Sequence, residues 1–400
     1  MCRRRFFLML CCLMLLATQT SCWSSKEIED LALYSGLALD TGEPTVTEQA
    51  LEDQGATYPK RNTITATIQL VPANSVGGTG RQSSSSSSSS DAPYLNVTGT
   101  GDSLLEIFRQ YSLRLDRPII GHHLKVIVVT TELLKQQKIN QLMDFVLRDN
   151  DIRPSTMVFL SQGQAVETLV SKQKNQIPSF HIRDMIHNQR RTSKVLDPVI
   201  LSKMDALMYS KRSFALQNLV TANGEVEFSG AGIIKGDTGY WVGMLNQEDT
   251  ECLSWLTNEG KTGVIKTYDW NNQPMTYEMK AMKSKITANT DGGNLAFDVK
   301  VTTEGRLSET WNAEEYPSAT QHAQKAEKLF REKLEQMMQA LMQKLQSDYK
   351  ADVAGFGERL SIQKPALWRK SEDHWDDVFS RTPIHINVEL KITEFGSFTD

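Results

Sequence analysis

Apolar and polar residues alternate in several short stretches of this 400-residue chain and step by three and four in others. Strict alternation places one side-chain set on each face of a strand, whereas three-and-four spacing gives a helix one apolar stripe. Residues 63–71, TITATIQLV, alternate and are β-branched, which predicts a strand. YLNVTGTG (94–101) reads as its return strand. Between them lies a run of eight serines, Ser83 to Ser90, within a flexible loop over 72–93. Such a run buries no apolar surface to offset chain entropy, so it links two strands of one domain. Residues 29–40 predict a helix or turn leading into a short strand near Gly36 to Leu39, and the polar stretch 41–61 predicts a loop.

In DSLLEIFRQYSLRL (102–115), Leu104, Leu105, Phe108, Tyr111 and Leu115 share a helical face, with Asp102 or Ser103 as cap. GHHLKVIVVT (121–130) and STMVFLSQG (155–163) read as buried strands. Residues 131–149 between them predict one helix or two short ones, and a further helix is expected over Ala165 to Ser171. This β-β-α-β-α-β order predicts a mixed α/β (α+β) fold. After a polar stretch with a helical piece near His181 to Arg190, residues 202–210 read as helix and residues 213–245 as β-rich, with hairpin turns at Asn223-Gly224 and Gly236-Asp237. Residue 249 begins a helix, and strands fill 262–312. A long helix over 318–349 carries Ala323, Leu329, Phe330, Leu334, Met337, Leu341 and Leu345 on one stripe. That stripe lasts about three heptads, so it is read as a cover for a sheet and not as a coiled coil. Residues 365–379 read as helix and 382–395 as the last strand.

The N-terminus changes the picture. Arg3, Arg4 and Arg5 precede twelve apolar residues, Phe6 to Ala17. That is too short for a membrane span and right for the apolar core of a signal peptide, expected over residues 1–21. No later stretch approaches eighteen apolar residues, so an exported chain without a membrane-spanning helix is expected. Of five cysteines, only Cys22 and Cys252 lie beyond the leader, which is no disulfide framework. Thr20-Ser21-Cys22 fits the end of a bacterial lipobox, although Gln19 stands where an aliphatic residue is usual. Cys22 is therefore the expected lipidation site and first mature residue. A Cys22–Cys252 bond and ordinary secretory cleavage nearby are the alternatives. Two acyl chains hold a protein stably where one holds it weakly, so Cys22 would anchor the chain to a membrane without spanning it.

The formal net charge is −4, and the leader contributes three arginines and no acid. The acidic balance argues against broad nucleic-acid binding, which needs cations facing phosphates. No catalytic residue set stands out. The pair His122-His123, if in a strand, points to opposite faces and cannot share one metal ion. Gly230-Ala231-Gly232 has the wrong spacing for a phosphate loop and GFGER (355–359) reads as a turn. Asp376-Asp377 reads as a solvated pair. Trp255, Trp368 and Trp375 read as core. No cofactor and no metal site is expected.

Four stretches together resemble the Ger(x)C family, the lipoprotein C subunits of spore nutrient-germinant receptors. They are CWSSKEIEDLALYSGLALD (22–40), GHHLKVIVVTTELLKQQKINQLMDFVLRDNDIRPS (121–155), FSGAGIIKGDTGYWVGMLNQEDTECLSWL (228–256) and the DVAGFGERLSIQKPALWRKSEDHWDDVF segment that begins at 352. Gly121, Arg148, Gly355 and Gly357 lie in these motifs, where backbone geometry or ion pairing is the expected role. The resemblance implies a three-domain lipoprotein with no enzyme activity: residues 22–175 as N-terminal domain, 176–245 as middle domain and 246–400 as C-terminal domain. It implies a place on the extracytoplasmic face of the spore inner membrane, assembly with membrane-embedded A and B subunits, and a part in germination triggered by a nutrient. An extracytoplasmic lipoprotein that itself captures a germinant, or one acting on the spore cortex, is the competing reading.

Overall fold

The computed structural model describes residues 31–56, 58–71, 93–291, 294–312 and 320–395. The leader, Cys22 and the serine run lie outside the described residues. The first half runs β1 (Ala32–Thr41), α1 (Val46–Asp53), β2 (Ile64–Val71), β3 (Leu95–Gly101), α2 (Leu104–Tyr111), β4 (Ile119–Ile120), β5 (Val126–Thr130), α3 (Thr131–Gln136), α4 (Ile139–Arg148), β6 (Met157–Ser161) and α5 (Pro178–Met185). It continues through β7 (Val199–Ile200), α6 (Leu201–Tyr209), β8 (Phe214–Ala222), β9 (Glu225–Ile234) and β10 (Trp241–Leu245). The second half runs α7 (Gln247–Thr257), β11 (Gly263–Tyr268), β12 (Pro274–Asp291), β13 (Asn294–Thr310), α8 (Thr320–Gln343), α9 (Phe356–Gln363), α10 (Pro365–Ser371), α11 (Trp375–Phe379) and β14 (Ile384–Glu394).

Two mixed sheets result. The first has the order β10-β9-β8-β6-β5-β1-β2-β3, with β4 beside β1 and β7 beside β6. Its centre is parallel: β1 with β5, β5 with β6, and β6 with β8. Helices supply the crossovers that parallel strands require. β1 lies between β5 and β2 with both faces covered, so all its inner residues are buried and its sequence cannot show clean alternation. This is why the strand begins at Ala32 where the sequence predicts a helix or turn. On one face lie Leu37, Ile127, Leu142 and Met143; on the other lie Ala38, Val128, Phe159 and Ile182.

Residues 46–53 form a helix where a loop is expected from the sequence. Thr45 caps it, and Glu48 reaches back to the Thr45 amide at 3.0 Å. The helix is polar, and Glu48 is its buried residue, accepting from the Thr100 amide at 2.7 Å and the Thr100 hydroxyl at 3.0 Å. Residues 131–149, expected as one helix or two short ones, form the two short helices α3 and α4, and His122-His123 sit in the turn before β5 and not in the strand.

The second sheet has the order β11-β12-β13-β14, antiparallel except for the β13–β14 pair. β13 alternates buried and exposed residues, as a strand with one solvated face should. Its inner face packs under α8, whose Ala326, Phe330, Leu334, Met337, Met338, Leu341 and Met342 step by three and four. Tyr277 of β12 meets Phe330 with ring centroids 5.5 Å apart. The predicted long helix thus covers a sheet, ending in a π-helical turn over Lys344–Asp348.

Candidate functional site

Between that π turn and α9 the chain makes a tight loop around one carboxylate. Asp352 Oδ1 accepts the amides of Ala354 (3.2 Å), Gly355 (2.9 Å) and Phe356 (3.1 Å). Its Oδ2 accepts the Gly357 amide (2.7 Å) and the Trp375 indole N–H (2.8 Å). The first amides of a helix have no partner within the helix. Here the N-terminal turn of α9 is satisfied by an acid three residues ahead of its cap, and negative charge is favoured at that end of a helix. Gly355 occupies the cap at φ +82°, which glycine adopts at no steric cost. Gly357 has a different reason: a Cβ there would lie 2.7 Å from Trp375 Nε1. Burial pushes the Asp352 carboxyl above the ordinary carboxylate range, against the pull of its five donors.

Aromatic rings enclose this loop. Phe356 packs edge-on against Phe297 of β13 at 5.1 Å and at a tilt against Phe379 at 5.5 Å, and Trp368 lies 5.5 Å from Trp375. The Trp375 ring is buried, whereas Trp368 is partly exposed. The GFGER turn is therefore a buried carboxylate cradle, one end of which is held from α11.

The cradle borders a cleft of about 1060 Å³ between the two sheets. One wall comes from α6, the start of β8 and the β9–β10 turn; the other comes from the end of α7, the middle of β12 and α9 to α11. Three polar contacts span it. Ser213 donates its hydroxyl to Asp376 Oδ2 at 2.7 Å, Arg212 Nη1 lies 3.3 Å from Glu358, and Lys203 Nζ lies 3.7 Å from Glu259. Ser213 Oγ also accepts the Gly236 amide at 3.0 Å, and Asp376 Oδ1 accepts the Asp352 amide at 3.1 Å. A hydrogen-bonded line thus runs from the β9–β10 turn through Ser213 and Asp376 to the loop that starts α9. Burial raises the Asp376 carboxyl as well. This arrangement fixes two walls relative to each other. Its groups are engaged with one another as donors, acceptors and ion pairs across the cleft.

Among the described residues no cluster of three or more His, Cys, Asp or Glu side chains is placed to hold a metal ion. His122 is exposed with its Nδ1 3.8 Å from Asp151, and His123 lies in the same turn. Cys252 is a free, fully buried thiol on α7. Trp255 is fully buried and donates to the Thr262 carbonyl at 3.1 Å. Gly121 lies where a Cβ would meet the Tyr34 hydroxyl at 2.7 Å, and Arg148 pairs with Asp144 one helical turn away at 3.0 Å. Cys22 lies outside the described residues. Sequence reasoning missed Asp352, Ser213 and the half-buried Asp376. The acid three residues before Gly355 was the one local signal for the cradle, and nothing local points to Ser213.

The profile described as "Spore germination protein N-terminal domain" matches residues 24–220, and "Spore germination B3/GerAC like, C-terminal" matches residues 229–396. Spore germination protein YndF of Bacillus subtilis is 37% identical over 96% of this chain and 95% of that protein. Spore germination protein B3 of the same organism is 30% identical over 94% of each chain. The crystal structure of the GerBC protein superposes with a TM-score of 0.60 at 25% identity, covering 92% of this chain and 100% of that one.

Proposed function

The chain belongs to the spore germination B3/GerAC-like family, and from that premise we propose that it is the lipid-anchored, non-catalytic C subunit of a nutrient germinant receptor. It sits on the extracytoplasmic face of the spore inner membrane and assembles with membrane-embedded A and B subunits. The observation that carries the reading is the match of both family profiles, in order, over residues 24–396, beginning two residues after Cys22. Among the described residues no helix is long and apolar enough to cross a membrane. Attachment is therefore assigned to an acylated Cys22, where two fatty chains give stable binding. Trp23 then starts the mature chain at the lipid surface, a depth that suits an indole ring. The test is deletion of the gene followed by dipicolinate release from spores over a nutrient panel. Loss of the response to particular nutrients supports the subunit role; an unchanged response to every nutrient contradicts it.

The cleft supports a second reading, direct capture of a small germinant. A ligand that binds the folded state raises its melting temperature. A thermal-shift screen of residues 23–400 with amino acids and sugars separates the two: a specific rise favours capture, and flat curves favour assembly alone.

A further inference from the structure

Three segments of the first half converge beside the start of β5, and each brings a cation. The Met157 amide donates to the Lys125 carbonyl at 2.9 Å, and the Thr156 hydroxyl donates to the Leu124 carbonyl at 3.0 Å. The Thr156 amide also closes a turn on the Arg153 carbonyl at 3.0 Å, so the turn that carries Arg153 lies against residues 124–125. The Lys125 amide donates to the Ser35 carbonyl at 2.8 Å, and the Ser35 hydroxyl lies 2.7 Å from that of Ser179, which places the first turn of α5 beside the same residue. Arg183 follows Ser179 by one helical turn on the same side of α5. Lys125, His123 and Arg183 are half-buried, and Arg153 is exposed. Arg183 is held by Asp184 at 2.7 Å. The other acids nearby are engaged elsewhere: Asp151 lies 3.8 Å from His122 Nδ1, and Asp149 accepts the Asp151 amide at 2.9 Å. Among the described residues Lys125 and Arg153 make no ion pair. Burial, then Arg183, then Arg153 push the Lys125 ammonium below its ordinary value. Burial, then Lys125, Arg153 and His122 push the His123 imidazole down. Each of those neighbours is basic, so the field here is positive on a chain whose net charge is −4.

We propose that Lys125, Arg153 and Arg183 form a binding site for a phosphate-type oxyanion. A half-buried ammonium crowded by two guanidinium groups costs free energy, and an oxyanion between them offsets both the lost hydration and the repulsion. Guanidinium forks bind phosphate oxygens in pairs, and the ammonium adds a point charge with rotatable donors. The supports are fixed: Val126 next to Lys125 and Ile182 next to Arg183 are both fully buried in one apolar cluster. None of the three cations lines the cleft between the sheets. The group recognised is the phosphate itself, carried by a soluble ester or by a lipid headgroup. The site does not depend on how the chain is anchored.

The full-length protein in a neutral detergent is titrated with inorganic phosphate while sodium chloride is adjusted to hold the ionic strength constant, and its melting temperature is followed. A ligand of the folded state raises that temperature with saturation, whereas screening follows ionic strength alone. A second arm replaces phosphate with short-chain phosphatidylglycerol below its micelle concentration. Lys125→Gln and Arg153→Gln are compared with wild type and with Arg148→Gln, a control whose arginine pairs with Asp144 on α4. The expected result is a saturable rise in wild type and in Arg148→Gln, with apparent affinity about tenfold weaker or worse in each of the other two, since each loses one charged hydrogen-bond donor. A response to phosphate assigns the site to a soluble ester, and a response confined to the lipid assigns it to a headgroup. No saturable rise in either arm overturns the proposal, and so does a rise that Lys125→Gln and Arg153→Gln leave intact.

Discussion

The indole N–H of Trp375 meets Oδ2 of Asp352 at 2.8 Å across 23 residues of chain. The same carboxylate collects four backbone amides, so one buried acid ties α9 to α11 and both to the end of α8. Removing a buried acceptor strands its donors, each at about 1–3 kcal/mol, although such costs do not add. Asp352→Ala is expected to destabilise the protein by about 3 kcal/mol or more in urea unfolding. Trp375→Phe keeps most of the ring and loses one bond, for about 1–2 kcal/mol. An Asp352→Ala variant as stable as wild type would contradict the role given to the cradle.

Gly355 and Gly357 separate two uses of glycine. A Cβ on Gly355 meets nothing within 4 Å, so Gly355→Ala is charged only for its positive φ, about 1 kcal/mol. Gly357→Ala forces the Trp375 and Trp368 rings apart and should cost clearly more, about 2–3 kcal/mol. Thermal unfolding of the two variants side by side decides the order.

Ser213 joins the two walls of the cleft. Ser213→Ala leaves Asp376 Oδ2 and the Gly236 amide without this partner, at about 1–3 kcal/mol. Because Asp376 also holds the Asp352 amide, the amides of Gly355 to Gly357 should exchange with deuterium faster in this variant. Unchanged exchange there would mean that the Ser213 contact is not transmitted to α9.

Burial pushes the Glu251 carboxyl up to about 7, from an ordinary value of 4.5. A raised folded-state value means that the folded protein binds more protons than the unfolded chain between these limits. Its contribution to stability therefore falls as pH rises from about 4.5 to about 7, by up to about 3 kcal/mol. Asp40, pushed up to about 6 by burial, adds a loss in the same direction at lower pH. Glu251→Gln should flatten this dependence, with a smaller difference in melting temperature between about pH 5 and about pH 8 than in wild type. Equal pH dependence in both proteins would assign the titration elsewhere.

Two kinds of element are legible in the sequence: the buried strands β5 and β6, through their short continuous apolar runs, and elements with one solvated face. β13 alternates, and α8 carries a stripe, because each buries one side. β1 is covered on both faces and shows neither pattern, so its first residues look like helix or turn in the sequence. α1 has no apolar stripe because what it buries is Glu48, and only the Thr45–Glu48 spacing of a capping box marks it. The cleft was not legible at all. Ser213 and Asp376 are 163 residues apart, and Asp376 looks like any acid on a solvated helix until β8 is brought beside it.

Membrane attachment through Cys22 is tested most directly in spores that carry wild-type chain or Cys22→Ala. Fractionation and nutrient-triggered dipicolinate release are followed in the same samples. Wild-type chain in the inner-membrane fraction, with the variant displaced from it and the response to the cognate nutrient lost or much weakened, is the predicted result. A Cys22→Ala chain that stays on the membrane and supports a full response would contradict the anchor.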